Sequence, residues 1–238
     1  MKIQIIGVAR SGTSSLLRGI SKQGYIKIGE PFNYALRIKD KIPYPIPELE
    51  TEQNVCVKSL TSQVPHQDEW QFDGDPNGID FFIEFQKTFI KQFDRVILLD
   101  RKNDTEHFTS YLNLIKHITS DNRLKVRIND NEELIDTSQK KWYEGDLTKE
   151  VINKTLQNFK KKTGQNAKDV FEKEKKQINL LSEELNIPIT YYEDLYGEDR
   201  IESFEIINKW DLDLDPFELN DYLHPKYKLK QPGKKPII

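Results

Sequence analysis

The first nineteen residues, MKIQIIGVARSGTSSLLRG, constrain the fold more than any other stretch of this chain. A short apolar run (Ile3, Ile5, Ile6) stops at Gly7, and the segment Val8–Ser14 is small, polar and glycine-bearing. Ser15-Leu16-Leu17-Arg18 then opens a helix. Strand, glycine loop and helix in that order aim backbone N–H groups and the positive end of a helix dipole at an anion. The spacing Gly7-x4-Gly12 fits a phosphate loop, but Thr13 stands where the nucleotide-hydrolase version carries lysine. The loop draws its cation from Arg10 instead.

The rest of the chain alternates in the same way. A helix over about 14–22 leads through Gly24 to a strand at Tyr25–Ile28 and a turn at Gly29-Glu30-Pro31-Phe32-Asn33. Pro43, Pro45 and Pro47 mark an extended connection. Asn54–Leu60 reads as a compact strand with Lys58 near its end, Ile79–Phe93 as an aromatic-rich helix, and Arg95–Asp100 as a buried parallel strand. A helix follows through about Ile118. Residues 122–164 are rich in Lys, Asn and Asp and include Trp142-Tyr143. Helical spacing returns at Val151–Lys162 and Ala167–Asn186, followed by a short strand at Ile189–Tyr192 and a last helix at Arg200–Trp210.

This alternation predicts an α/β fold: a P-loop-type open parallel sheet with helices on both faces, forming a single domain over 1–238 with a helical or irregular insertion at about 120–186. In such sheets ligands sit at the carboxyl ends of the strands. Gly7–Ser14, Gly29–Phe32, Lys58–Thr61, Arg101–Ser110 and Tyr192–Asp194 all follow predicted strands and are expected on one rim.

Composition narrows the partners. Across 238 residues the net charge is -3, which advertises neither nucleic acid nor an acidic membrane surface, although local basic clusters suit a small anion. The single cysteine, Cys56, excludes an intramolecular disulfide framework and any multi-cysteine metal site. No apolar run is long enough for a membrane span or a signal peptide, so a cytoplasmic protein is expected, and the sequons at Asn103 and Asn153 read as chance matches.

The loop Val8-Ala-Arg-Ser-Gly-Thr-Ser-Ser15 resembles the 5′-phosphosulfate loop of sulfotransferases that use 3′-phosphoadenosine 5′-phosphosulfate (PAPS). Its Arg-Ser-Gly-Thr-Ser form is that of the carbohydrate and tyrosylprotein branches, whereas the cytosolic small-molecule branch has lysine in place of Arg10. The resemblance implies that Arg10, Ser11, Gly12, Thr13, Ser14 and Ser15 hold the donor, leaving PAP as product with no metal expected. A phosphosulfate needs N–H groups, hydroxyls and one cation, but offers no β/γ-phosphate for a loop lysine. A second family signature, an arginine after a central strand with a serine two turns on, implies a 3′-phosphate site. A separation of eight fits Lys102 to Ser110 or Arg101 to Thr109, and nine fits Arg101 to Ser110. Arg101 with Ser110 is preferred because arginine grips phosphate through a planar fork. Thirdly, Tyr192-Glu193-Asp194-Leu195 resembles the family's Tyr-Glu-Asp-Leu strand end, which implies Tyr192 against the adenine. Glu193 and Asp194 are expected to cap the turn that follows.

Sulfonyl transfer requires a base for the acceptor hydroxyl and a cation for the departing oxygen. The cytosolic branch places a histidine after a strand; this chain has Lys58-Ser59-Leu60 there. Gly29-Glu30-Pro31-Phe32 resembles the glutamate segment of the other branches, implying Glu30 as general base, with Arg10 and Lys58 supporting the leaving oxygen. His66 and His107 are weaker base candidates. The acceptor expected is a small molecule, carbohydrate or glycolipid, with peptidyl tyrosine second. Two features depart from the cytosolic branch: Ser15 replaces its adenine-stacking tryptophan, and only a basic tail (Lys228, Lys230, Lys234, Lys235) stands where its C-terminal Arg-Lys-Gly loop would be. Two rival readings remain. One is a P-loop kinase or nucleotide-binding protein with Asp100 as a metal-holding strand end; the other is an inactive anion-binding module.

Overall fold

The central strand is β1 (Lys2–Gly7), whose Ile3, Ile5 and Ile6 are fully buried. The computed structural model describes residues 1–32, 46–65, 75, 78–119, 147–197, 200–216 and 219. His66, Pro43, Pro45, Trp142, Tyr143 and the basic tail lie outside them. Next come α1 (Thr13–Lys22), β2 (Ile26–Gly29), β3 (Val55–Leu60), α2 (Ile79–Phe89), β4 (Arg95–Asp100), α3 (Asp104–Thr119), α4 (Lys149–Thr163), α5 (Ala167–Leu185), β5 (Ile189–Tyr191), α6 (Tyr192–Tyr196) and α7 (Arg200–Lys209).

The five strands form one all-parallel sheet in the order β2-β3-β1-β4-β5. The predicted α/β class with an open parallel sheet is what the chain adopts. Alternation along each strand assigns the faces. Ile3, Ile5, Cys56, Ile97 and Leu99 pack with Leu16, Leu17 and Ile20 of α1. Val55, Val57 and Ile28 pack on the opposite face with Phe85 and Phe89 of α2. On that second face Gln4 Nε2 donates to Gln86 Oε1 at 3.0 Å, so even the polar residue of β1 meets a partner on α2. The α1 connection runs from β1 out to β2, and the α2 connection runs from β3 across β1 to β4. Crossovers in opposite directions place their helices on opposite faces when both share one hand.

Several element ends differ from expectation. The aromatic helix stops at Phe89 and tightens into a 3-10 turn over Ile90–Gln92. The strand before Tyr192 ends at Tyr191, because Tyr192 already opens α6.

The chain divides into two compact units, residues 1–102 with 174–238 and residues 103–173. The first holds the sheet. The second holds α3 and α4, which pack together, and the start of α5. Asn103 Oδ1 accepts from Glu106 N at 3.1 Å and caps α3, a structural use for one of the two sequons. Gly164 ends α4 in the left-handed region, at φ 73°. Phe171 gathers His107 edge-on at 5.0 Å, Phe108 at 5.2 Å and Tyr111 at 5.3 Å between ring centres. The fully buried His107 is thus part of an aromatic core. Among the described residues no helix is long and apolar enough to cross a membrane.

Two outcomes follow from this burial. Ile5→Ala should cost about 2–5 kcal/mol in urea denaturation, whereas Ile201→Ala, at an exposed position of α7, should stay within about 0.5 kcal/mol. Burial pushes the Cys56 thiol above its ordinary range. It should therefore resist a disulfide reagent in the native protein at mildly alkaline pH and react once urea unfolds the chain.

Candidate functional site at the carboxyl rim of the sheet

The connections leaving β1 and β3 diverge, so the crevice beyond their adjacent carboxyl ends is the switch point where open α/β sheets take ligands. The loop after β1 is drawn tight. A Cβ on Gly7 would lie 2.5 Å from Thr13 Cγ2, 2.7 Å from Ser11 Oγ and 2.9 Å from Leu99 O. Gly12 has φ 89°, and a Cβ there would lie 2.7 Å from the Tyr196 ring and 2.9 Å from the Tyr192 ring. Tyr196 is fully buried, its hydroxyl donates to Gly12 O at 3.1 Å, and burial holds its phenol well above the ordinary range.

Several loop amides are engaged internally. Val8 N donates to Leu99 O at 3.3 Å, Ser11 N to Val8 O at 3.1 Å, and Ala9 N to Glu174 Oε2 at 3.2 Å. Gly12 stands at the N-cap of α1 with no side-chain cap, so the first turn leads with the backbone N–H groups of Thr13 and Ser14, while Ser15 N donates back to Gly12 O at 3.0 Å. Ser11 Oγ is buried and has no hydrogen-bond partner. Thr13 is buried with its methyl against Gly7, so it fills the place of the usual lysine by packing.

Beside the loop, three segments converge. Strand alternation turns Lys58 to the same face as Cys56, toward α1. Its Nζ donates to Ser14 Oγ at 3.0 Å and to Glu30 Oε1 at 2.5 Å. Gln63 Nε2 donates to Glu30 Oε2 at 2.9 Å, and Glu30 N donates to Lys58 O at 2.7 Å. Lys58 is buried and the Glu30 side chain keeps 20% of its surface open. Ser14, Lys58 and Glu30 share an open cleft with Arg18 and Lys27.

Backbone strain concentrates here. Arg10 and Glu30 have φ of 76° and 54°; the other described non-glycine residues with positive φ are Asn186 and Asp211, types that tolerate it. A long side chain held in the left-handed region marks a position kept for its side chain rather than for backbone comfort.

At the far side of the rim, Arg101 is buried with its guanidinium 4.5 Å from the centre of the Tyr192 ring and its Nε 3.6 Å from Glu193 Oε1. Tyr192 also stacks on Tyr196 at 4.8 Å. Lys102 N donates to Glu193 Oε2 at 2.9 Å, and Lys102 Nζ pairs with Asp194. The expectation that Glu193 and Asp194 cap a turn is therefore corrected: α6 has no side-chain cap, and both carboxylates pair with the basic residues after β4. The expected phosphate pair divides between the units, with Arg101 in the first and Ser110, buried on α3, in the second. Thr109 Oγ1 bonds Thr105 O at 2.8 Å within its own helix. Asp100 Oδ2 lies 2.7 Å from Lys175 Nζ, which also donates to Arg101 O at 2.9 Å.

Gln63, Glu174 and Lys175 do not figure among the residues expected at the site. Glu174 carried a usable signal. It sits on the helical stripe Phe171, Glu174, Ile178, Leu181, all of them buried, and a carboxylate on an apolar stripe marks a buried contact. Its Oε2 also lies 3.4 Å from Thr61 Oγ1, tying the end of β3 to the loop after β1. Gln63 carried no signal of this kind.

Lys175→Ala removes the ammonium from the buried Asp100 carboxylate and should cost about 3 kcal/mol in urea denaturation. The Asp100→Asn/Lys175→Met double variant should recover most of that loss. Compared with family models, curated proteins and solved structures, the chain matches none.

Proposed function

We propose that this protein is a PAPS-dependent sulfotransferase acting on a carbohydrate or glycolipid hydroxyl, with Glu30 as general base. The observation that carries the reading is the Ser14–Lys58–Glu30 chain: one buried ammonium bonded both to a hydroxyl of the anion loop and to a partly exposed carboxylate. Base, cation and anion loop share one rim, as sulfonyl transfer requires.

The residues fit a phosphosulfate. Ser11 Oγ is a buried hydroxyl with no partner, and a side chain would break the loop's close packing at Gly7, against Thr13 and Ser11, or at Gly12, against Tyr196 and Tyr192. The uncapped first turn of α1, with the hydroxyls of Ser11, Ser14 and Ser15 and the Arg10 cation, would hold the donor's 5′ end. Arg101 and Tyr192 would receive its nucleotide part. The donor supplies an activated sulfonyl group whose bridging oxygen gains charge as the bond to sulfur breaks.

Lys58 has two tasks. An ammonium at 2.5 Å favours the ionised carboxylate, the form in which a base must start. It also stands beside Ser14, where it can move charge support toward the loop. With Lys58 bonded to Ser14 as well as to Glu30, the cation can support the departing oxygen while Glu30 accepts the acceptor's proton and Gln63 fixes the orientation of the carboxylate.

Two observations weigh against the kinase reading. Asp100, the strand-end carboxylate that would hold magnesium, is bonded to Lys175 at 2.7 Å. Thr13, buried by its methyl, offers no lysine-like reach to a β/γ-phosphate.

Calorimetric titration with PAP in EDTA should show binding by the wild type and a loss of about tenfold or more in Arg10→Ala. No binding by the wild type would sink the proposal, and ATP binding that requires magnesium would favour the kinase. Glu30→Gln should keep its PAP affinity yet lose about 10²–10⁴-fold in transfer from radiolabelled PAPS to an oligosaccharide panel. Full activity in that variant would remove Glu30 as the base.

A further inference from the structure

We infer that the acceptor of this site carries negative charge, which Arg18 and Lys27 receive at the mouth of the Glu30 cleft. The inference rests on the sulfotransferase reading and narrows its substrate class to anionic, hydroxyl-bearing molecules, of which acidic saccharides are the type.

The cleft is lined by Ser14, Leu17 and Arg18 of α1, by Lys27 and Gly29 of β2, and by Glu30 and Lys58. Three cations and one carboxylate thus face it, a surplus of two positive charges on a chain whose net charge is -3. The carboxylate does not compensate the surplus. Glu30 Oε1 is taken by Lys58 at 2.5 Å and Oε2 by Gln63 at 2.9 Å. Lys58 is in turn occupied between Glu30 and Ser14. Arg18 and Lys27 are exposed, and among the described residues neither forms an ion pair.

Their placement follows from the fold. Ile28 faces α2, so its neighbour Lys27 projects to the α1 side, where Arg18 follows one turn after Ser14. The two cations therefore flank the cleft on the side away from the loop after β1. A donor held by that loop leaves them to the second substrate. Uncompensated cations beside a cleft raise the local concentration of anions and hold an anionic substituent, an effect that salt weakens. A neutral acceptor would gain nothing from them.

The test compares a hyaluronan hexasaccharide, which carries uronate carboxylates, with neutral chitohexaose. Binding of each is measured by calorimetry to the wild type and to Arg18→Ala/Lys27→Ala, with PAP present and absent. The wild type should prefer the acidic sugar by about tenfold at roughly 0.05 M salt, with the preference shrinking at roughly 0.5 M. The double variant should lose the preference while its melting temperature and PAP affinity stay unchanged. Equal or tighter binding of the neutral sugar, binding of neither sugar, or a preference that survives in the double variant would overturn the inference. Failure of the sulfotransferase reading shows differently: the wild type would not bind PAP, whatever the sugars do.

Discussion

A methyl group at residue 7 would lie 2.5 Å from Thr13 Cγ2 and 2.9 Å from Leu99 O, so the chain folds back over the end of β1 only with glycine there. Much of the rim follows from that close return. It drops Thr13 onto β1 as the first residue of α1, which points the uncapped helix start at the switch point. It also leaves few residues to make the turn, and Arg10 and Gly12 both take left-handed backbone to complete it. Gly12 in turn leaves room for Tyr192 and Tyr196, which close over the loop from α6. A strand end 5 residues of sequence ahead of a helix is thus tied to an element that begins at Tyr192, through contacts that no side chain larger than hydrogen would permit at either glycine.

Sheet register does the corresponding work beside the loop. Lys58 sits opposite Ile5 on one side and Gly29 on the other, so Glu30, one residue beyond Gly29, arrives at the level of the Lys58 ammonium. The hydrogen bond from Glu30 N to Lys58 O locks that level, and φ of 54° is the backbone cost of turning the carboxylate back over the strand end. A one-residue slip of β2 would send every side chain of the strand to the other face and take Glu30 away from its cation. Proximity here comes from main-chain geometry, with the side-chain bonds added on top.

The strands were legible because each is a short apolar run bounded by turn residues, and a helix between successive runs implies a parallel sheet. Alternation even carries the turn of Lys58 toward α1 once Cys56 is known to face that helix. Gly7, Arg10 and Gly12 declared themselves by spacing. The contacts that hold the rim were harder to read. Gln63 reaches Glu30 across 33 residues of chain, and Glu174 reaches Ala9 across 165, distances over which local pattern carries no information. Glu193 and Asp194 looked like capping residues because acidic side chains before a helix commonly are. The pairing with Arg101 and Lys102 prevailed because β4 and β5 are neighbours, which sets the two segments beside each other at one end of the sheet.

Seen as a set of charges, the rim is mostly matched: Lys58 with Glu30, Lys175 with Asp100, Arg101 with Glu193 and Lys102 with Asp194. Matched pairs hold side chains in place but project little field, since each cation is cancelled within a few ångströms. Attraction for an anion must then come from what is left outside the pairs. At the loop this is the run of N–H groups that opens α1, a fixed dipole carrying no counter-charge of its own. At the cleft it is Arg18 and Lys27. Ser14 belongs to that first turn, and Arg18 and Lys27 line the same cleft as Ser14, Lys58 and Glu30, so the groups proposed for proton transfer adjoin both places that favour negative charge. That arrangement suits a reaction joining two anions, where the work of binding is to overcome the repulsion between them.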